Sequence, residues 1–330
     1  MSIKQYPGGI ITKNPTDPTT SAAKGIWTLD QAQNYIKQGI WPRSPGAPTI
    51  GTATATSSST ATVAYTAPTD LGAGSITYTA TSSPGGLTGS GASPITVAGL
   101  NAATSYTFTV RAATPGGTGP ASATSNSITT PAPTIGEAYG GGFYAGQIGV
   151  SGVATHYLVV GPVASAQNAS KQWKNGNTAT AGATSVIDGP QNTADMVADG
   201  SSGVYPAAHF CNDLVIAGFS DWYMPATNEL EVCYFNLKPS TGSNNTSSGI
   251  NPNAVPARAS NYTNSPQVPA QTSATDFKDT GAEDFSINVY WSSTEYNDSF
   301  ANFQNFANGN QSYYFKTTSA RVRAIRRVAV

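Results

Sequence analysis

The chain has 330 residues, room for two or three domains, yet only 10% of them are charged, against roughly 25% in ordinary globular proteins. A formal net charge of −1 gives no electrostatic footprint for nucleic acid or an anionic membrane surface. No apolar run approaches the ~18 residues of a membrane span, and two cysteines exclude a disulfide scaffold.

The first residues lack the apolar core of a secretion signal, so synthesis in the cytoplasm without an export signal is expected. Residues 1–25 are turn-rich, with Pro7-Gly8-Gly9 and Asn14-Pro15 marking loops. This stretch is expected to lie extended against a partner or to be disordered alone. Thr28 followed by Gln31 is a capping-box signature, and Leu29, Ala32 and Ile36 recur at helical spacing until Gly39 and Pro42 stop the helix. A helix of about ten residues is marginal in water. It therefore needs a surface to dock on, either an attachment or oligomerisation partner or the following domain. Residues 1–45 are read as an N-terminal attachment or oligomerisation segment.

Residues 46–132 change to short Thr/Val/Ile/Tyr runs separated by Pro and Gly, the rhythm of a β-sandwich. Tyr106, Phe108 and Val110 alternate with Ser105, Thr107 and Thr109, and Leu100 upstream puts Tyr106 at a tyrosine corner. On these residues and the "GGTGPAS" turn, the stretch resembles a fibronectin type III domain. It departs by placing Val63 and Tyr65 where an early-strand Trp is usual. The resemblance implies a spacer, and the sequence points to no site within it.

From Pro133 a Gly-rich entry leads into a strand with Phe143 and Tyr144, followed by the apolar run Tyr157 to Gly161. Two helices are expected. Ala207, Phe210, Cys211 and Leu214 fall at i, i+3, i+4, i+7, and Leu230, Cys233, Tyr234 and Leu237 do the same. Asn228 and Glu231 form a plausible cap pair for the second, which Pro239 ends. Trp222 between them is a natural anchor. Residues 240–285 form a long Asn/Ser/Thr/Pro-rich connection, of a length that is functional or built on its own packing. A Val/Ile/Arg alternation over 322–328 reads as one closing strand, with Val322 and Ala324 on one side and Arg321 and Arg323 on the other. The arginines there are expected to pair with carboxylates or backbone.

The most informative stretch runs from Tyr296 to Ala320. Seven of its residues are Phe or Tyr, five are Asn, and only Asp298 and Lys316 carry charge. Rigid aromatics among adaptable Asn and Ser are the composition of a binding surface. The candidate ligand-binding residues are Tyr296, Asn297, Asp298, Ser299, Phe300, Asn302, Phe303, Asn305, Asn308, Asn310, Ser312, Tyr313, Tyr314, Phe315, Thr317, Thr318 and Ser319.

Catalytic arrangements are not legible. His156 and His209 read as surface or half-buried residues, and Cys211 and Cys233 as buried thiols, with an inter-helix disulfide as the lesser option. Glu229 and Glu231, two residues apart, face differently and form no glycosidase pair. Glu283, Asp284 and Asp298 could hold calcium but read as solvated loop carboxylates. No enzyme, cofactor or metal is expected.

The order of parts, with Trp222, Pro225, Glu229 and Leu230, then Tyr290 to Glu295, then Val322 to Arg327, resembles a C-type-lectin-type domain. More narrowly, it resembles the DUF1566 family of bacterial surface and phage proteins, with Met224 and Ala226 in place of the usual Leu and Thr. It is also similar to the variable proteins of diversity-generating retroelements, which rewrite Asn-type codons on such a surface. Gln304, Gln311 and Lys316 would then be fixed scaffold. The fold class implied is multidomain: an all-β fibronectin type III sandwich (46–132), then an α+β C-type-lectin-like domain (133–330), after a short helix-bearing segment. The function implied is a phage virion adhesin, in a tail fibre or surface fibre, that binds a host cell-surface glycan or protein. The alternative is a purely structural capsid or tail decoration protein. Other virion proteins would be met through the N-terminal segment, and a homo-oligomer, a trimer among the options, is expected, without nucleic acid or membrane insertion.

Overall fold

The computed structural model describes residues 17–23 and 27–330, so the expectations for Pro7-Gly8-Gly9 and Asn14-Pro15 lie outside the described residues. The chain divides into two compact units, residues 1–132 and 133–330.

In the first unit, α1 (Leu29–Lys37) starts where the capping box placed it. Thr28 Oγ1 accepts from Gln31 N at 3.2 Å, and Gln31 Oε1 accepts from Thr28 N at 3.0 Å. Leu29 is 73% exposed and Ile36 37%, so the apolar spacing leaves these side chains in solvent. Trp27 meets Tyr35 and Trp41 edge-on.

Strands β1 (Thr49–Ala55), β2 (Thr60–Thr66), β3 (Thr77–Ser83), β4 (Thr88–Ser90), β5 (Ile95–Ala98), β6 (Ser105–Thr114), β7 (Gly117–Ala121) and β8 (Ile128–Thr129) follow. They form two sheets, β1-β2-β5 and β4-β3-β6-β7, with β8 on β6. Alternation delivers Val63, Ala80, Val97, Phe108 and Val110 to one core. The Tyr106 hydroxyl accepts from Asn101 N at 2.9 Å, closing the corner expected there.

The second unit opens with β9 (Ala138–Tyr139), β10 (Gly142–Val150), β11 (Val153–Val160), the short α2 (Val163–Ala166) and β12 (Gln167–Gln172). Helices α3 (Gly189–Asp199), α4 (Pro206–Asn212) and α5 (Thr227–Leu237) come next. The remaining elements are β13 (Thr263–Asn264), β14 (Gln267–Val268), a 3-10 turn at Thr275–Phe277, β15 (Val289–Glu295), β16 (Phe300–Asn305), β17 (Gln311–Phe315), β18 (Ser319–Arg323) and β19 (Ile325–Ala329). Two sheets result, β19-β11-β10-β9 and β12-β18-β15-β16-β17, with a β13-β14 hairpin apart. Gly146 of β10 adopts φ +129°, and a Cβ there would stand 2.3 Å from Asn236 Nδ2, so α5 rests directly on that strand.

Three readings are corrected. The closing alternation is two strands, because Ala324 leaves the ladder: its N–H goes to Ala166 O and its carbonyl accepts from Gly161 N. β18 and β19 thereby join different sheets, and Val322, Arg323 and Ala324 are all buried. The cap of α5 is not Asn228 with Glu231. Glu229 Oε2 accepts from Ala226 N at 2.8 Å, while Asn228 Nδ2 turns to Asn253 and Glu231 is fully buried. The second unit has three helices of seven residues or more rather than two. α3 is capped by Asp188 with Pro190 in its first turn, a start signal present in the sequence. Cys211 and Cys233 are the free, buried thiols expected, without the inter-helix disulfide, and burial raises the pKa of both.

The 240–285 connection has its own packing. Lys238 Nζ donates to Gly242 O and Asn244 Oδ1, Asn244 Nδ2 donates to Thr263 O and Pro269 O, and Tyr262, Phe277 and Phe285 enter the core.

Candidate ligand-binding surface

The candidate surface is the β16–β17 hairpin at the edge of the second sheet. Its base is firm. Phe306 stacks on Phe285 at 4.0 Å and meets Tyr290 and Tyr234, which fixes the hairpin turn to the core. Gly309, at φ +77°, closes that turn over the Tyr234 ring, where a Cβ would come within 2.4 Å. Gln304 is buried with Nε2 donating to Gly309 O, and Gln311 Oε1 accepts from Gly249 N.

Lys316 is the other anchor. Its side chain is fully buried and bonds Glu295 and Thr178 O. Burial lowers its pKa, and the Glu295 carboxylate opposes that shift. Lys174 reaches the same loop from behind, donating to Ala179 O at 2.7 Å. The two ammonium groups tie residues 178–180 beneath the display strand.

On this base the rings sort by strand face. Phe300, Asn302, Tyr313 and Phe315 share one face, as the pairs Phe300↔Phe315 and Asn302↔Tyr313 require. Tyr296 stacks on Tyr313 at 4.0 Å and 10°, Phe300 meets Tyr313 at 5.2 Å, and Phe300 lies against Phe315 at 4.4 Å. Tyr296 is 53% exposed and Phe315 51%, so the cluster is both ordered and presented. Tyr314 points to the opposite face, over Phe303 at 4.4 Å.

Not every candidate residue is presented on the surface or has a free side chain. Phe303 is only 4% exposed, held between Tyr314 and its cross-strand partner Trp291, and is support rather than surface. Asn297 Oδ1 accepts from Ser299 N and Phe300 N, Asn305 Oδ1 from Ala307 N, and Asn308 Oδ1 from Asn310 N. These amides shape turns. Asn310 Oδ1 accepts from Asn245 Nδ2, and Asn302 Nδ2 donates to Thr294 O. Thr317 O accepts from Gln172 Nε2, and Thr318 N donates to Phe315 O. Asp298 and Ser319 are exposed, while Ser299 and Ser312 are half-buried.

The charged groups weighed for catalysis or calcium, Asp298 apart, have partners within the fold. Glu229 takes bonds from Tyr223, Arg327, Ala226 and Gly189, and Glu231 from Asn251, Arg258 and Tyr262. Burial raises both carboxyl pKa values against the pull of their arginines. Glu283 pairs with Arg323, and Asp284 accepts from Thr280 N. Arg326 pairs with Asp221 at 2.7 Å, so three of the terminal arginines hold carboxylates. His209 Nε2 meets Gly200 O, and His156 Nδ1 lies beside Thr155 Oγ1. Among the described residues no three His, Cys, Asp or Glu side chains cluster as a metal site, and no helix is long and apolar enough to cross a membrane.

The chain carries a fibronectin type III domain, whose family model matches residues 46–128, and an Lcl C-terminal domain, whose model matches residues 166–326. Similar solved structures include a crystal structure of titin domains (23% identity, 27% of this chain and 32% of that one, TM-score 0.25). Others are the fibronectin type III domain of human fibronectin type III domain containing protein 3 (23% identity, 29% and 94% coverage, TM-score 0.23) and the FN5 domain of Drosophila Lar (25% identity, 26% and 97%, TM-score 0.21). The chain spans about a third of the titin structure it matches. No curated protein matches the chain.

Proposed function

We propose that this chain is a non-enzymatic adhesin of a phage virion, whose C-terminal, C-type-lectin-like domain presents the β16–β17 hairpin to a ligand on the host surface. The observation that carries this reading is the cluster of exposed Tyr296, Tyr313 and Phe315 around half-buried Phe300, on a base fixed by Phe306, Gln304 and Lys316. Such rings offer contact area at low conformational cost, and a rigid base keeps that cost low. The virion setting, the kinship with DUF1566 proteins and the link to retroelement-variable proteins rest on the sequence resemblance. The inward role of Gln304, Gln311 and Lys316 is what a fixed scaffold under a varied surface requires. The fibronectin type III domain serves as spacer, and the N-terminal segment, with exposed Leu29 and Ile36, attaches the chain or joins its copies.

The second reading, a decoration protein, puts the same rings in a particle interface. Hydroxyl-radical footprinting of assembled particles separates the two. Reactive Tyr296, Tyr313 and Phe315 support the adhesin, and protection of all three supports the decoration protein.

A further inference from the structure

We propose that the ligand is an extended polypeptide segment that adds to the outer edge of β17 as a further strand, which rests on reading this hairpin as the binding surface. β17 is the last strand of its sheet. Lys316 N donates inward to Ser299 O, whereas Gln311 N donates outward to Ser248 Oγ at 3.0 Å. Directions alternate along an antiparallel ladder, so the N–H and C=O of Tyr313 and the N–H of Phe315 face outward with the Gln311 carbonyl. Among the described residues no group bonds to these four. The row is bounded by Ser248 at one end and by the Thr318 N–H on Phe315 O at the other. At ~3.3 Å per residue, it fits a partner strand of about five residues.

Edges that stay free in solution are usually guarded by a charge, a proline or a bulge. β17 has none of these: its ladder runs in unbroken register from Gln311 to Phe315, and the adjacent Lys316 is buried. Tyr313 and Phe315 flank the edge on one face and Tyr314 on the other. A strand laid along it would set alternate side chains against these two aromatic faces, so main-chain bonds supply affinity and rings supply selectivity. β17 itself carries no charged side chain, so an uncharged partner strand matches it. A sugar has no alternating N–H and C=O at strand spacing to match this row, and the mutual stack of Tyr296 and Tyr313 already covers one face of each ring.

The test exposes the full chain to a displayed library of random dodecapeptides and, separately, to an array of immobilised glycans. The expected result is a peptide whose binding slows amide exchange at Tyr313 and Phe315 at least tenfold and leaves Ser312 and Tyr314 unchanged. Tyr313→Pro, which removes an outward N–H, should weaken that peptide at least tenfold more than Tyr313→Ala. The amide readout stands if the proline variant does not fold. Three results overturn strand addition while leaving the surface in place: no peptide recovered, a ring-dependent binder that leaves both amides unprotected, or protection that rises with protein concentration alone. A binder indifferent to both Tyr296→Ala and Tyr313→Ala removes the surface as well.

Discussion

Tyr296 and Tyr313 stack at 4.0 Å with their planes 10° apart, yet one lies just past the end of β15 and the other within β17. The pair clamps the start of the display segment to its edge strand. An aromatic pair contributes about 0.5–1.5 kcal/mol beyond its buried area. Tyr296→Ala should therefore lower the melting temperature of the C-terminal unit by only about 2–5 °C, while ligand affinity falls at least tenfold. Calorimetry and binding titration on the same variant check both.

Lys316 and Glu295 should be much less tolerant. Lys316→Met leaves a carboxylate that is largely buried without its ammonium partner, a loss of about 3–5 kcal/mol. Adding Glu295→Gln should restore part of that loss, and a double-mutant cycle in urea measures the coupling.

Asn297 was a contact candidate, but its Oδ1 holds the N–H groups of Ser299 and Phe300. Asn297→Ala should cost about 1 kcal/mol of stability, whereas Asn297→Asp keeps the acceptor and should cost less. Denaturant midpoints distinguish the two.

Glu229 has a folded-state pKa raised chiefly by burial. The folded state then holds its proton where the unfolded state has lost it, so this contribution is full below the ordinary carboxylate value and is lost as pH rises through the raised one. Stability of the C-terminal unit should fall across that window, and Glu229→Gln should flatten the slope by up to about 1.4 kcal/mol per pH unit. Urea titrations from pH 4 upward read it directly.

The sequence revealed much of the architecture where period and punctuation agree. Tyr106 was placed at its corner, Thr28 at its cap, and Leu230, Cys233, Tyr234 and Leu237 on the buried face of α5. The display stretch was visible by composition, but composition does not say which way a ring points. Phe300, Phe303 and Phe306 are spaced by three, and a strand of period two turns Phe303 to the face opposite Phe300. Phe306 lies beyond the strand end and drops into the core. The terminal alternation concealed the switch at Ala324, because sheet membership depends on distant partners such as Gly161, Ala166 and Tyr223. The turn-forming Asn residues were indistinguishable from contact residues until their amide bonds were in view.

The proposed binding of a host-surface ligand by the rings of the hairpin is tested most directly on intact host cells, comparing the full chain with a variant in which Tyr296, Phe300, Tyr313 and Tyr314 are changed to Ala, with thermal unfolding of both in parallel. The expected result is lost binding by a variant that still unfolds in one cooperative transition, lowered by no more than the sum of the ring pairs removed. Full binding by the variant, or collapse of its fold, would contradict the adhesin reading.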